Sequence, residues 1–178
     1  MRKKVFGSLL LFLCVVLVTT GCGAKTSNNL TNKNDNKSNN QDVVNKEVVT
    51  KCTLSKSDST NGYDVNSTYT VYSTDKIVNK VETVEKVTST NASVLKQFED
   101  TLNNLYSSMN SKYGGYTFSV TNSNNEVVAT TKIDYTKLDI AKLVSDEPST
   151  KSIVNSDNKI TLDGILKTYE QIGAVCQK

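Results

Sequence analysis

The chain has 178 residues, 22% of them charged, with four Cys and one Pro but no His and no Trp, so Ser-His-Asp and Cys-His hydrolase sites and the common zinc sites are excluded. Its formal charge of +3 traces to Arg2, Lys3 and Lys4 alone: removing them from the 21 basic residues leaves 18 against 18 acidic ones. A neutral remainder without a dense Lys/Arg cluster lacks the electrostatic footprint of nucleic-acid binding, and no nucleic-acid partner is expected.

Those three cations open an export signal, followed by the apolar run Val5 to Val18 and then Thr19-Thr20-Gly21-Cys22. The apolar run falls short of the roughly 20 residues that cross a bilayer. Gly21 directly before Cys22 resembles the lipobox of bacterial lipoproteins, in which the cysteine sulfur is diacylglycerated and the signal is cut just ahead of it; Thr19 stands where that motif prefers Leu. An ordinary cleaved signal and an uncut anchor are the competing readings. On the lipobox reading, residues 1–21 are a cleaved signal peptide, with Gly21 and Cys22 as the cleavage pair and Cys22 as the lipidation site. Acyl chains such as palmitate gain about 0.8 kcal/mol per buried methylene, and two of them hold a protein on a membrane where one is marginal. The expectation is an extracytoplasmic protein whose membrane partner is reached through lipidated Cys22.

Residues 22–46 turn to Asn, Lys, Ser and Asp, with Leu30, Val43 and Val44 almost the only large apolar side chains. Such a stretch cannot build a core. It reads as a disordered tether, a plain spacer in preference to a binding segment, spanning roughly 25 to 30 Å and reaching about 80 Å when stretched.

Residues 47–178 are the length of one domain. Val48 to Leu54 is rich in Val and Thr; after the Asn61-Gly62 turn, Tyr63, Val65, Tyr69 and Val71 recur at even spacing. Both predict strands with one buried face. Ser73 to Lys76 supplies turn chemistry, and Ile77 to Thr88 reads as a third strand. Its valines at 78, 81, 84 and 87 fall three apart, which suits a helix better than a flat strand; the β-branched content favours the strand, and a bulge can shift the alternation.

Val94, Phe98, Leu102, Leu105, Met109 and Tyr113 share one helical face, and Gly114-Gly115 stops the helix. Tyr116, Phe118 and Val120, the turn Asn122 to Asn125, and Val127, Ala129, Thr131 and Ile133 predict a hairpin. Leu138, Ala141 and Leu143 or Val144 suggest a short helix, Asp146 to Asn158 a polar loop, and Thr161 caps a last helix carrying Leu162, Ile165, Leu166, Tyr169 and Ile172. Ala174-Val175-Cys176 follows as a short extended piece. The order βββ-α-ββ-α-α predicts an α+β domain: an antiparallel sheet of about five strands with helices on one face.

That order, together with Ser67 to Val81 (STYTVYSTDKIVNKV), Lys132 to Leu143 (KIDYTKLDIAKL) and Lys159 to Gly173 (KITLDGILKTYEQIG), resembles the small bacterial lipoproteins of the YehR type. The resemblance implies a lipid-anchored α+β domain in a family without an assigned activity, hence no active-site residues to carry over.

Of the four cysteines, Cys14 leaves with the signal and Cys22 is taken by lipid, so Cys52 and Cys176 remain. An even remainder outside the cytosol points to a disulfide; two separately buried thiols, or a reducing habitat that keeps both free, are the alternatives. Neither has a His to act as its base, and the spacing is not CxxC. Glu82 with Glu85, Glu99 with Asp100, and Asp146 with Glu147 read as solvated surface. Asp58, Asn61, Gly62 and Asp64 depart from the EF-hand spacing, and no metal or other cofactor is expected. No catalytic residue emerges. The preferred expectation is a non-enzymatic binding or envelope-associated module, with Tyr72, opposite in parity to Tyr69 and Val71, as a candidate binding surface; the alternative is an envelope enzyme using carboxylates only.

Overall fold

The computed structural model describes residues 46–177, so the signal sequence, Gly21, Cys22 and the tether up to residue 45 lie outside the described residues. The described chain is α+β. Its strands are β1 (Val48–Asp58), β2 (Tyr63–Thr74), β3 (Ile77–Ser89), β4 (Tyr116–Ser123), β5 (Glu126–Asp134) and β6 (Val175–Gln177). Helix α1 (Ala92–Tyr113) connects β3 to β4; α2 (Ile140–Asp146), a 3-10 segment (Pro148–Ile153) and α3 (Leu162–Gln171) lie between β5 and β6. All strand pairs are antiparallel, in the order β4-β5-β3-β2-β1-β6.

The expected first three strands form a continuous meander. Asp75 and Lys76, at φ 51° and 64°, make the tight β2–β3 turn, and Asn124 and Asn125, at 50° and 63°, repeat the device between β4 and β5. Positive φ at both central residues matches the right-handed twist of the flanking strands. The irregular spacing of the valines in β3 has its cause in a bulge. Tyr72 pairs with Lys80 while Ser73 pairs with Val78, so Asn79 is the extra residue. Val78 is inward before the bulge, and Val81, Thr83, Glu85 and Val87 are inward after it. Val84 therefore points away from the core and is 45% exposed.

Inward positions of β1 and β2 behave as their alternation predicts: Cys52, Leu54, Tyr69 and Val71 are buried. Helix α1 starts at Asn91, whose side chain accepts from the Ser93 N–H, and ends where Gly114 and Gly115 take positive φ. A side chain at Gly115 would stand 2.8 Å from the Asp134 carbonyl, so the close approach of the chain to β5 needs glycine there. The buried stripe is Leu95, Phe98, Leu102, Tyr106 and Tyr113, a slight rotation from the one predicted. Tyr106 is inside, while Val94, Leu105 and Met109 are half-buried at the margins.

Two features of the closing segment differ from expectation. Pro148–Ile153 is helical where a polar loop is predicted, because Thr150 and Ile153 are buried against the neighbouring helices. Thr150 Oγ1 donates to the Glu147 carbonyl at 2.6 Å, which ties down the first turn. Val175–Gln177 is a sixth strand, its register placing Cys52 opposite Cys176. These two cysteines are joined by a disulfide. Thr161 caps α3, its Oγ1 accepting from the Gly164 N–H at 3.3 Å. Gly164 lets α3 lie close on the 3-10 segment, since a Cβ there would be 2.8 Å from Ile153 Cα.

All helices cover one sheet face; the described core falls into two large buried clusters and a smaller one of Tyr113, Leu138 and Leu143. One large cluster gathers Cys52, Leu54, Val71, Val81 and Ile153 with Ile165, Leu166 and Tyr169 of α3. The other gathers Val87, Val127 and Ala129 with Leu95, Phe98, Leu102 and Tyr106 of α1. The seam between them is the feature that matters for function.

Candidate functional site

Along the seam the sheet presents Tyr69, Thr83, Glu85 and Thr131, and two cavities share Tyr69 and Glu85 in their walls. An inner lobe of about 120 Å³ runs under α1 and α3, with Leu105, Tyr106 and Met109 on one side and Ile165, Thr168 and Tyr169 on the other. An outer lobe of about 360 Å³ reaches the β1–β2 turn, where Lys56, Asp58 and Tyr63 form its rim. The outer lobe alone is as large as a small-molecule pocket of about 300 Å³. Tyr69 stacks on Tyr169 with ring centroids 4.3 Å apart, so an aromatic pair from β2 and α3 forms a wall common to the seam.

Glu85 is 4% exposed, and its Oε1 has no hydrogen-bond partner. Burial pushes its carboxyl up to about 7. Thr131, 2% exposed, has an equally unpartnered Oγ1. Thr83 pairs with Thr131 and Glu85 with Ala129, which makes Thr131 the diagonal neighbour of Glu85 on the inward face. Native interiors leave few polar side-chain atoms unmatched. Here the two such atoms found among the described residues both line one cavity.

The tyrosines around them act as neutral groups. Burial raises Tyr69 to about 12 and holds Tyr135 and Tyr169 higher still. At the rim, Asp58 is held below the usual carboxylate range by Asn61, whose Nδ2 and backbone N–H donate to it at 2.7 and 3.0 Å. The loop compared above with a calcium site thus spends Asp58 on its own turn, and Asp64 accepts from Ser57. Among the described residues no group of three or more His, Cys, Asp or Glu side chains is placed to hold a metal ion.

Glu85 corrects the expectation that Glu82 and Glu85 are both solvated surface. Two such residues on one strand must take opposite faces, and the Asn79 bulge fixes which one turns inward. The legible signal was the shared parity of Val81, Glu85 and Val87. Glu99 and Asp100 remain at the surface of α1, and Asp146 pairs with Lys112 and Lys142 at 3.1 and 3.0 Å.

Tyr72 does take the outward face, but it is half-buried there. Its hydroxyl donates to Glu82 at 2.8 Å, and Lys80 Nζ stands 3.6 Å from the ring centroid. No second aromatic side chain occupies an outward position of the described strands, so the exposed aromatic cluster that would mark a binding surface is not formed around it.

Among the described residues no helix is long and apolar enough to cross a membrane. No protein-family model matches the chain, and no curated protein matches it. Two solved structures match the chain. A protein from Streptococcus pneumoniae TIGR4, determined by NMR, is 19% identical, with 88% of this chain and 100% of that chain covered and a TM-score of 0.43. The E. coli YehR protein, also an NMR structure, is 18% identical over 76% of this chain and 94% of its own, with a TM-score of 0.50. At that identity the likeness is one of architecture: the domain has a YehR-like fold.

Proposed function

We propose that the chain is a lipid-anchored extracytoplasmic binding module that takes a small molecule into the seam between α1 and α3 and performs no chemistry on it. The observation that carries this reading is Glu85, a buried carboxyl with an unmatched oxygen in the wall shared by both lobes. A pocket largely apolar, with a few convergent polar groups, is the usual form of a ligand site. The motif at Gly21 and Cys22 supports the anchor.

An enzyme working with carboxylates needs two of them within reach of one bond, about 5 to 9.5 Å apart in glycosidases. Asp58 lies in the outer lobe with Glu85, but the row Leu54–Ser67–Glu85 is four residues along the sheet from the row Asp58–Tyr63–Ser89. At about 3.3 Å per residue that is roughly 13 Å. The spacing favours binding over catalysis.

Native mass spectrometry of the full chain purified from its own envelope tests the module. A retained small molecule is expected on the wild type and not on Thr168→Phe, which fills the inner lobe. An empty wild type, or equal retention by the blocked variant, contradicts the reading. Cys22→Ala should leave the folded domain in the soluble fraction after trimming; a trimmed protein still on the membrane would exclude the lipid anchor.

A further inference from the structure

We infer that the seam selects an amphipathic amine, with its ammonium group held by Glu85 and Thr131 and its apolar body laid among the tyrosines. This rests on the ligand-binding reading above and names the class of ligand.

The charge inventory is the first argument. Among the described residues, Glu85 is the only ionisable acid or base, tyrosines aside, that lines the inner lobe, and no Lys or Arg lines it. Lys56 and Asp58 belong to the outer rim, where one charge of each sign is present. A buried carboxylate without a counter-charge is costly, and the described lining of the inner lobe offers none. An anionic ligand would place a second negative charge beside it. A neutral ligand would leave the carboxylate unpaired whenever Glu85 ionises.

Geometry and chemistry point the same way. An ammonium has three donors and no acceptor. Two acceptors wait unmatched at diagonal positions of the sheet, Glu85 Oε1 and Thr131 Oγ1. The rings that enclose the lobe, Tyr69 on β2, Tyr106 on α1, Tyr116 on β4, Tyr135 after β5 and Tyr169 on α3, supply polarisable faces that attract a cation. Leu105, Met109, Ile133 and Ile165 supply apolar surface for the remainder of the ligand. An inorganic cation would gain nothing from these.

The titratable groups facing Glu85 are those five tyrosines, with Lys56, Asp58 and Tyr63 at the rim. Burial raises Tyr69, Tyr135 and Tyr169 and keeps them neutral, so among these groups Glu85 is the one that changes charge near neutrality. A ligand that needs the ionised carboxyl should bind more tightly as pH rises through about 7, by about ten-fold between pH 6 and pH 8.

The test is calorimetric titration of the full chain with 2-phenylethylamine, its neutral isostere 2-phenylethanol and the anion 3-phenylpropanoate. The amine is expected to bind at least about ten-fold more tightly than the alcohol at pH 8, as a charged hydrogen bond requires. Glu85→Gln should bring the affinities for amine and alcohol together, and the wild type alone should show the rise in amine affinity between pH 6 and pH 8. If the alcohol or the anion binds as well as the amine, the charge selection is wrong and the pocket stands. If none of the three binds the wild type, both the selection and the pocket reading fall.

Discussion

Glu82 and Glu85 sit three residues apart on one strand and meet opposite environments. Glu82, on the open face, accepts from Tyr72 and pairs with Lys80 at 3.0 Å, and these contacts hold its carboxyl below the usual range. Glu85, on the helix-covered face, has an unmatched oxygen, and burial raises it to about 7. The open face carries chains of cross-strand polar contacts such as Ser55 to Asn66 at 2.8 Å and the Lys86–Glu126 pair. It satisfies itself. The covered face does not, and that difference is why the seam, and not the open sheet, is the candidate site.

The largest effect expected concerns the edge of the covered face. Cys52 is fully buried, and its bond to Cys176 closes a loop of sequence separation 124. Cys176→Ser should lower unfolding free energy by about 5 kcal/mol on the chain-entropy model, measured by denaturant melts under non-reducing conditions. Next comes Leu102→Ala beneath α1, a fully buried leucine, expected to cost about 3 to 4 kcal/mol. On the open face, Val84→Ala removes a side chain already 45% exposed and should cost well under about 1 kcal/mol. Equal losses for the last two would abolish the distinction between the faces.

The two glutamates should then give opposite pH profiles. Glu85 has a raised folded pKa, so the stability fully present below its unfolded value of 4.5 is lost as pH rises through about 7, a change of about 3 kcal/mol. Glu85→Gln should flatten that fall in thermal melts taken from pH 4 to 8. Glu82 has a lowered pKa, so its contribution is present above 4.5 and lost as pH falls. Being exposed, it should amount to only a few tenths of a kcal/mol. Tyr72→Phe is the smallest change expected, within the scatter of the melts, because the hydroxyl it removes bonds at a solvated surface.

Much of this fold is legible in the sequence where one periodicity governs a whole segment. The β1–β2 alternation, the long helix before Gly114-Gly115, the Asn-rich hairpin turn and the Thr161 cap all follow from local chemistry. The site is not legible in the same way. Its decisive residue turns inward because a bulge at Asn79 shifts parity, and a bulge is set by pairing with β2, a non-local contact. The position of Tyr106 inside the stripe, and of Pro148–Ile153 as a buried 3-10 turn, likewise depends on how helices meet across the sheet. Val175–Gln177 is too short to announce itself as a strand; β1 and the cysteine pair place it.

The most direct measurement is the ionisation of Glu85 itself, followed through its side-chain ¹³C carboxyl resonance in the full chain, with and without 2-phenylethylamine. The account predicts a midpoint near 7 in the free protein and a clear downward shift when the amine is bound. A free midpoint near the ordinary 4.5, unmoved by the amine, would show a solvated carboxyl and contradict the seam as a binding site.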